Sequence, residues 1–195
     1  MLKLVTCQRS VAPLKRVGLL LAAALAAAGA GTASAQPVAD ESVIKAAFVY
    51  NFAKYTEWPE PLWNQSANLR LCTVGERGTF SAAVANLAAK PPVHGKAIEV
   101  RAVARPADVS NCHILVLAGQ ERMTEWTRAV RLLPVLTIGE SEGFAAAGGV
   151  IGLFAEGEKI KFEINREAAQ RAGLKLSSQL LKLARLVKEE SGADK

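Results

Sequence analysis

Apolar and polar positions along the middle of the chain predict β-strands that alternate with α-helices. Residues 113–119 form a continuous apolar run, which is typical of a strand covered on both faces. Residues 97–103 alternate between apolar and polar positions, as a strand does when one face is exposed. Strands are predicted at 69–75, 97–103, 113–119 and 134–139, and helices at 79–90 and 121–133. This order indicates an α/β fold in three layers, with a mostly parallel sheet flanked by helices.

The segment before these strands predicts an amphipathic helix. Asp40 or Ser42 can cap its amino end, and Pro59 ends it. Asn51 is the only polar residue on the apolar stripe, and we expect a buried amide there that pairs with nearby backbone. The stripe consists of Ile44, Ala47, Phe48, Phe52 and Tyr55.

The pattern changes after residue 139. Two runs, 150–157 and 158–165, are separated by a short polar connection that contains glycine, which predicts an antiparallel hairpin. Two further helices are predicted at 166–173 and 177–190, divided by Gly173. The expected sheet is therefore mostly parallel, with an antiparallel hairpin at its C-terminal end.

The first 35 residues have the three parts of a secretory signal peptide. A positively charged start precedes the apolar run 17–30, and Ala33-Ser34-Ala35 is a pattern that signal peptidase accepts. A membrane anchor is the alternative, but a spanning helix needs about 20 apolar residues. We expect cleavage before Gln36, a periplasmic location, and one α/β domain over residues 36–195.

Removing this segment changes the interpretation of the charge. Residues 1–35 contain four of the 24 Lys and Arg residues and none of the 18 Asp and Glu residues. The net charge of the remainder is +2, whereas that of the whole chain is +6. No basic cluster suited to a phosphate backbone remains, so nucleic-acid binding is not expected.

Two cysteines remain after the signal segment. Cys72 and Cys112 form an even pair in an exported protein, which predicts a disulfide, with two buried thiols as the alternative. The pair lacks the histidine partners of a zinc site. If their strands are parallel neighbours, both sulfurs lie near the amino ends, opposite the edge where such sheets bind ligands. We therefore expect a structural bridge.

Residues 139–143 match the Gly-x-Ser-x-Gly pattern of a hydrolase nucleophile, with Ser141 at its centre. Both histidines, His94 and His113, lie upstream of Ser141, and the residues that follow resemble a loop entering a strand. A polar turn is therefore the preferred interpretation, with no catalytic residue, and the chain is not expected to be an enzyme.

Other candidate sites have weaker signals. Residues 75–80 lie between a strand and a helix, but they lack the spacing of a nucleotide-binding loop. Neither histidine has a carboxylate or cysteine at metal-ligand spacing, so no metal site and no cofactor are expected. Trp58, Trp63 and Trp126 are spread along the sequence, and packing is the default role of each.

Both ends of the remaining chain resemble the YfiR family of exported bacterial proteins. Residues 44–59, IKAAFVYNFAKYTEWP, look like the opening helix of the family, and residues 134–187 look like its closing half. The specific features are Tyr-Asn-Phe-x-Lys, a double glycine, Phe-Glu-Ile-Asn and Ser-Ser-Gln-Leu-Leu. Cys72 and Cys112 occupy positions similar to a family disulfide. Some members carry a second cysteine pair, where this chain has Ala145 and Gly152.

The resemblance implies a periplasmic regulator that forms and breaks no bond. YfiR-like proteins bind the periplasmic part of an inner-membrane diguanylate cyclase and hold it inactive. An outer-membrane lipoprotein can remove the regulator, which releases cyclic-di-GMP synthesis and so controls biofilm growth. The expected partners are such a cyclase, or a histidine kinase, and possible further partners are an outer-membrane lipoprotein and a second copy of this chain as a homodimer.

Partner contacts are expected in the last third of the chain. We place them at Phe144 and Phe154, which look exposed beside charges, and at Glu163 and Arg166. A sheet edge in this region is also suited to strand addition. The alternative function is a small-molecule sensor with a pocket at the carboxyl edge of the sheet.

Overall fold

The computed structural model describes residues 40–75, 78–119 and 123–189. The expected signal peptide, residues 1–35, lies outside the described residues, and so does Glu190, the predicted end of the last helix. Within the described ranges, no helix is long and apolar enough to cross a membrane.

The strands of the described residues form a large sheet and a small strand pair. They are β1 (Thr56–Glu57), β2 (Leu69–Val74), β3 (Ile98–Ala102), β4 (Ile114–Leu117), β5 (Leu136–Gly139), β6 (Ile151–Glu156), β7 (Lys159–Asn165), β8 (Lys175–Leu176) and β9 (Arg185–Val187). The large sheet has the order β3-β2-β4-β5-β6-β7-β9, and β1 pairs with β8. The five strands β2 to β6 are parallel to one another, and β6 and β7 form the antiparallel hairpin. The predicted sheet is confirmed.

Helices flank the large sheet, and side chains cap several of them. The helices are α1 (Glu41–Lys54), α2 (Glu60–Gln65), α3 (Thr79–Ala85), α4 (Met123–Val130), α5 (Arg166–Arg171) and α6 (Ser178–Leu183). Asp40, one of the two caps that the sequence allowed, caps α1 by accepting a hydrogen bond from the Ser42 amide. Asn165 caps α5 and Ser177 caps α6 in the same way.

The buried side of α1 differs from the predicted stripe. Ala46, Val49, Phe52 and Ala53 are buried, whereas the other predicted positions are half-buried or exposed. Helix α1 packs against α3 as well as against the sheet, which rotates the buried face toward Ala46 and Val49. The expectation that the Asn51 amide is buried is wrong, because Asn51 is exposed.

The prediction of the last helix, over residues 177–190, is also wrong in its second half. Helix α6 ends at Leu183, Ala184 has an extended backbone, and the chain continues as β9. Strand β9 pairs in parallel with β7, with Glu163 opposite Arg185. Pairing with a distant strand therefore overrides a local sequence that favours a helix.

The two faces of the large sheet bury separate hydrophobic clusters. Leu71 and Ile114 belong to the cluster under α1, α3, α5 and α6, which we call the α1 face. Their neighbours Cys72 and Leu115 belong to the cluster on the other side, the α4 face, together with Trp126. This alternation is the two-residue period of a strand, and it produces the predicted three layers.

Cys72 and Cys112 form a disulfide, as predicted. Their Cα atoms are 6.0 Å apart, and both residues are buried on the α4 face. Strands β2 and β4 are parallel neighbours, but the register pairs Cys72 with Leu115. Cys72 therefore lies inside β2 rather than at its amino end, whereas Cys112 precedes β4.

Candidate interaction surface

Phe144 lies inside the protein, so its expected exposure is wrong. Its side chain has 0% exposed area in the cluster on the α4 face. The ring fills space left by two glycines, since a Cβ atom at either Gly139 or Gly149 would overlap it. A side chain without exposed area cannot touch a partner in this conformation, and Phe144 instead anchors the loop between β5 and β6.

The other residues of this loop are held by the core. Asn165 is fully buried, donates from its side-chain amide to the Ala145 carbonyl at 2.8 Å, and accepts from the Ala168 amide. Thr137 accepts from the Val150 amide at 2.8 Å. The Phe-Glu-Ile-Asn and double-glycine motifs therefore fix one loop.

Ser141 is the predicted polar turn residue. It is buried, and its hydroxyl donates to the Gly119 carbonyl at 2.9 Å. The imidazoles of His94 and His113 make their hydrogen bonds with backbone atoms of Thr56 and Arg70 instead. A serine nucleophile needs a base within hydrogen-bond distance, and this arrangement provides none for Ser141 among the described residues.

Phe154 and Glu163 form one side of a surface at the C-terminal end of the sheet. The Glu163 side chain is buried apart from 7% of its area, and its carboxylate accepts from Arg185 at 2.6 Å. The Arg185 guanidinium also lies 4.2 Å from the centre of the Phe154 ring, within the range of a cation–π contact. Phe154 is half-buried under this arginine, and Lys161 lies opposite Phe154 on β7.

Arg166, by contrast, lies between two clefts on the α1 face. One cleft, of about 410 Å³, runs between α5 and β9 and includes Leu186. The other, of about 270 Å³, runs between α5 and the segment from Leu174 to Leu181. Arg166 and Gln170 line both clefts. We call these two clefts together the Arg166 groove.

Strand β9 lies between the Phe154–Glu163 side on the α4 face and the Arg166 groove on the α1 face. It is the last strand of the large sheet, and no described strand pairs with its outer hydrogen-bonding edge, an arrangement suited to the addition of a partner strand. Arg185 points to the α4 face with Glu163, and Leu186 points to the α1 face, because successive side chains alternate. Leu186 is 51% exposed, and Leu183, at the end of α6, is 77% exposed.

A separate cleft of about 520 Å³ lies at the carboxyl edge of β4 and β5. Sheet order reverses between β2 and β4, and open parallel sheets bind ligands at such a switch point. Lys45 lies in this cleft, 2.7 Å from Glu41 and 2.9 Å from Glu140. Burial lowers the pKa of Lys45, but the hydrogen bonds to both carboxylates outweigh it, and the pKa is raised above its usual value.

An aromatic cluster lies at the opposite, amino edge. Trp58 and Trp63 stack with ring centres 5.6 Å apart, and Trp63 also contacts both histidines edge-on. His113 is buried, and its Nδ1 accepts from the Arg70 amide at 3.0 Å, which places the proton of the neutral ring on Nε2. Burial, with smaller effects of Arg70 and Lys96, lowers the pKa of His113 to about 4. The fold thus brings together two tryptophans that looked separate in the sequence.

The described residues hold no group of three or more His, Cys, Asp and Glu side chains that could bind a metal ion.

A sequence model of the YfiR/HmsC-like family (DUF4154) matches residues 42–185, which is more than half of the chain. The chain belongs to the YfiR/HmsC-like family. The match includes the residues of the Arg166 groove from Arg166 to Leu181, and it includes the carboxyl-edge cleft from Ser42 onward. Membership identifies this YfiR-like protein as a regulatory or binding module, since the family is regulatory and non-catalytic.

Two solved structures are similar to this chain at low identity. A conserved domain protein from Vibrio cholerae O1 biovar El Tor is 12% identical with a TM-score of 0.52, over 76% of this chain and 60% of that one. CD0873, a substrate binding protein from Clostridium difficile, is 10% identical with a TM-score of 0.47, over 67% of this chain and 59% of that one. The YfiR-like chain therefore spans about 60% of the length of these structures. At this identity the likeness to the Vibrio protein concerns the fold alone.

The partner residues predicted from sequence occupy different places in the YfiR-like fold. Phe154 and Glu163 lie together under Arg185, Arg166 lies on the other side of β9, and Phe144 is in the core. Arg185 and Leu186 were missed, because their segment was interpreted as a helix. The two apolar residues Leu186 and Val187, which precede a Lys-Glu-Glu end, could equally be read as part of a short strand.

Proposed function

We propose that this YfiR-like protein is a periplasmic regulator that binds the periplasmic region of an inner-membrane diguanylate cyclase and holds the cyclase inactive. Cyclic-di-GMP synthesis and biofilm formation would then depend on its release by an outer-membrane lipoprotein. The observation that carries the proposal is the family match over residues 42–185. The export signal predicted for residues 1–35 is consistent with this location.

The open edge of β9 supports this proposal physically. Exposed Leu186 and half-buried Phe154 provide apolar area beside this edge. Arg185, which contacts both Phe154 and Glu163, provides charge. Interaction surfaces combine apolar area and charge in this way. A strand from the partner can add to β9, whose outer edge has no neighbour in the described sheet.

The proposal is tested by binding and by signalling. The exported protein should bind the periplasmic region of a membrane-anchored cyclase encoded beside its gene, and deletion of its gene should raise cellular cyclic-di-GMP. Biolayer interferometry and mass-spectrometric quantification of cyclic-di-GMP are the two measurements. Absence of binding together with unchanged cyclic-di-GMP would reject the proposal.

We also infer that the protein works without catalysis. Ser141 donates to a backbone carbonyl, and both histidines are engaged with backbone atoms at other places in the fold. Ester turnover that survives purification and disappears in Ser141→Ala would contradict this inference.

A second candidate function is small-molecule sensing at the carboxyl-edge cleft. The position of this cleft at the switch point of the sheet, and its volume of about 520 Å³, favour this candidate. A thermal-shift screen of amino acids and small metabolites tests it, since a ligand that binds the folded state raises the melting temperature saturably. Lys45→Met should abolish such a shift, and a shift unchanged in this variant would place the ligand elsewhere.

A further inference from the structure

We propose that the Arg166 groove binds an acidic, amphipathic segment of a protein partner, which presents carboxylates beside apolar side chains. The inference rests on the proposed function, and it adds the chemistry that the partner must supply. Three observations carry it: an uneven distribution of charge, unpaired cations around the groove, and an apolar floor.

Positive charge is concentrated in the C-terminal elements. Residues 166–188 contain six Arg and Lys residues and one Glu, a net charge of +5. The rest of residues 36–195 has a net charge of −3. Glu163 and Glu189 each pair with one of these six cations, so a net charge of +3 remains around the groove and β9, and it attracts anionic groups to this part of the molecule.

Three cations around the groove make no ion pair within the part of the chain that the structure describes. Arg171 and Arg185 are neutralised by Glu189 and Glu163. Arg166, Lys175 and Lys188, which line the two clefts, are exposed and make no ion pair within the described residues. Among the described residues of this lining, Glu167 is the one acidic side chain. A partner carboxylate can pair with these three cations without breaking an existing contact.

The groove also offers apolar area between the cations. Leu174, Leu176 and Leu181 line the cleft beside α6, and Leu186 with Val187 lines the cleft beside β9. Volumes of about 270 and 410 Å³ are many times the ~30 Å³ that one water molecule occupies. Each cleft can therefore receive an apolar side chain of the partner.

The shape of the groove favours a protein segment over a membrane. Amphipathic surfaces that bind lipid insert protruding apolar side chains below the headgroups. Here most of the apolar side chains line recesses on the two sides of α5, and the cations surround them. Recesses of this kind suit the side chains of a segment laid across them.

A designed helical peptide with glutamates on one face and leucines on the other serves as the probe. We expect it to bind the exported protein saturably, with NMR shift changes at residues 166–176 and 185–188, and to weaken as salt rises. The same peptide with lysine in place of glutamate is the control for charge. The proposal is overturned if both peptides bind equally, if the shifts lie elsewhere, or if phosphatidylglycerol vesicles bind while the acidic peptide does not.

Charge reversal in the groove provides the variant test. R166E combined with K175E should weaken acidic-peptide binding by about tenfold or more, because attraction at two sites becomes repulsion. The matched control combines K54E in α1 with K90E in the segment after α3, two exposed lysines, so that the net charge changes equally. Circular dichroism and melting curves establish that both variants are folded. Equal weakening by both variants would show a non-specific charge effect and overturn the proposal.

The cyclase experiment separates failure of this inference from failure of the proposed function. If the wild-type protein does not bind the cyclase region, the proposed function is rejected. If the wild-type protein binds and R166E/K175E binds equally well, the groove is not the binding site and only the inference is rejected. Loss of binding in R166E/K175E, with binding kept in K54E/K90E, supports both.

Discussion

Gly139 and Gly149 provide the space in which the ring of Phe144 is buried. Neither glycine has a positive φ, so their importance comes from volume rather than from backbone freedom. Gly139 is also the first glycine of the Gly-x-Ser-x-Gly pattern, which gives that match a packing explanation.

We predict that Gly149→Ala destabilises the protein by about 1–3 kcal/mol, because its new methyl group overlaps the Phe144 ring. Urea denaturation measures the loss. Gly78→Ala is the control, since no atom lies within 4 Å of a Cβ at that position, and it should cost less than about 1 kcal/mol, the loss expected when alanine replaces glycine as a helix N-cap. Equal losses in the two variants would contradict the packing explanation.

The buried imidazole of His113 predicts acid sensitivity. Above its ordinary pKa of 6.5, His113 is neutral in both the folded and the unfolded chain, and its contribution to stability is complete. As pH falls from 6.5 to about 4, only the unfolded chain gains the proton. The free energy of unfolding should therefore fall by up to about 1.4 kcal/mol per pH unit in this window.

Two variants test this contribution. His113→Asn keeps an acceptor for the Arg70 amide but cannot be protonated, so it should flatten the slope between pH 6.5 and 4, whatever its stability at neutral pH. His94→Asn is the control, because His94 is exposed and has a φ of 47°, a conformation that Asn tolerates. Denaturation at several pH values gives the slopes. A slope in His113→Asn equal to that of the wild type would reject His113 as the source.

At the scale of elements, the disulfide fastens β2 to the turn before β4. It closes a loop with a sequence separation of 40 residues, which contains α3 and β3. Closing a loop of this length stabilises the fold by about 4 kcal/mol in the chain-entropy model. We predict that reduction of the wild-type protein lowers its free energy of unfolding by a comparable amount, measured by urea denaturation.

The double variant Cys72→Ala/Cys112→Ala separates covalent closure from packing. Both sulfurs are buried, so the variant should be less stable than the reduced wild type, which keeps their volume. Reduced and oxidised wild type with equal stability would show that the bridge contributes nothing to the fold.

Elements whose partners lie nearby in sequence could be predicted, and elements decided by distant contacts could not. The β6–β7 hairpin and the strands β2 to β5 follow from local patterns and turn residues. Strand β9 depends on β7 and on Glu163, which lies on a different element and binds Arg185. The exposed Asn51 has the same cause, since packing against α3 turns α1 away from its predicted orientation.

The candidate site followed the same division. Sequence reasoning assigned Phe154, Glu163 and Arg166 to one surface, but it could not place Arg166 on the opposite side of β9 from the others. It also took Phe144 for a surface residue, because an apolar residue in a glycine-rich loop carries no local sign of burial. The clefts on the two sides of α5 arise only when the elements pack.

At the scale of the whole molecule, Glu189 connects parts of the chain that are distant in sequence. Its carboxylate binds Arg171 at the end of α5 and lies 3.5 Å from Arg131, which follows α4. The C-terminal segment after β9 is therefore tied to helices on both faces of the sheet.

We predict that Glu189→Gln lowers the free energy of unfolding by about 1–3 kcal/mol, because a largely buried charged partner of two arginines is lost. Differential scanning calorimetry measures the change in melting temperature. Glu158→Gln, in the exposed turn of the hairpin, is the control and should leave it almost unchanged. A shift in Glu158→Gln as large as that in Glu189→Gln would indicate a general effect of net charge.

The covalent ring closed by Cys72 and Cys112 also determines how the molecule responds to a broken backbone. The turn at His94 and Gly95 is exposed and lies inside the ring. A protease that nicks this turn severs the main chain, yet the two fragments stay joined through sulfur and migrate as one band on a gel until a reductant is added. The fragment that carries β3 therefore stays covalently linked to the fragment that carries β2 after this cut, whereas the same cut in a chain without the disulfide would leave two separable fragments.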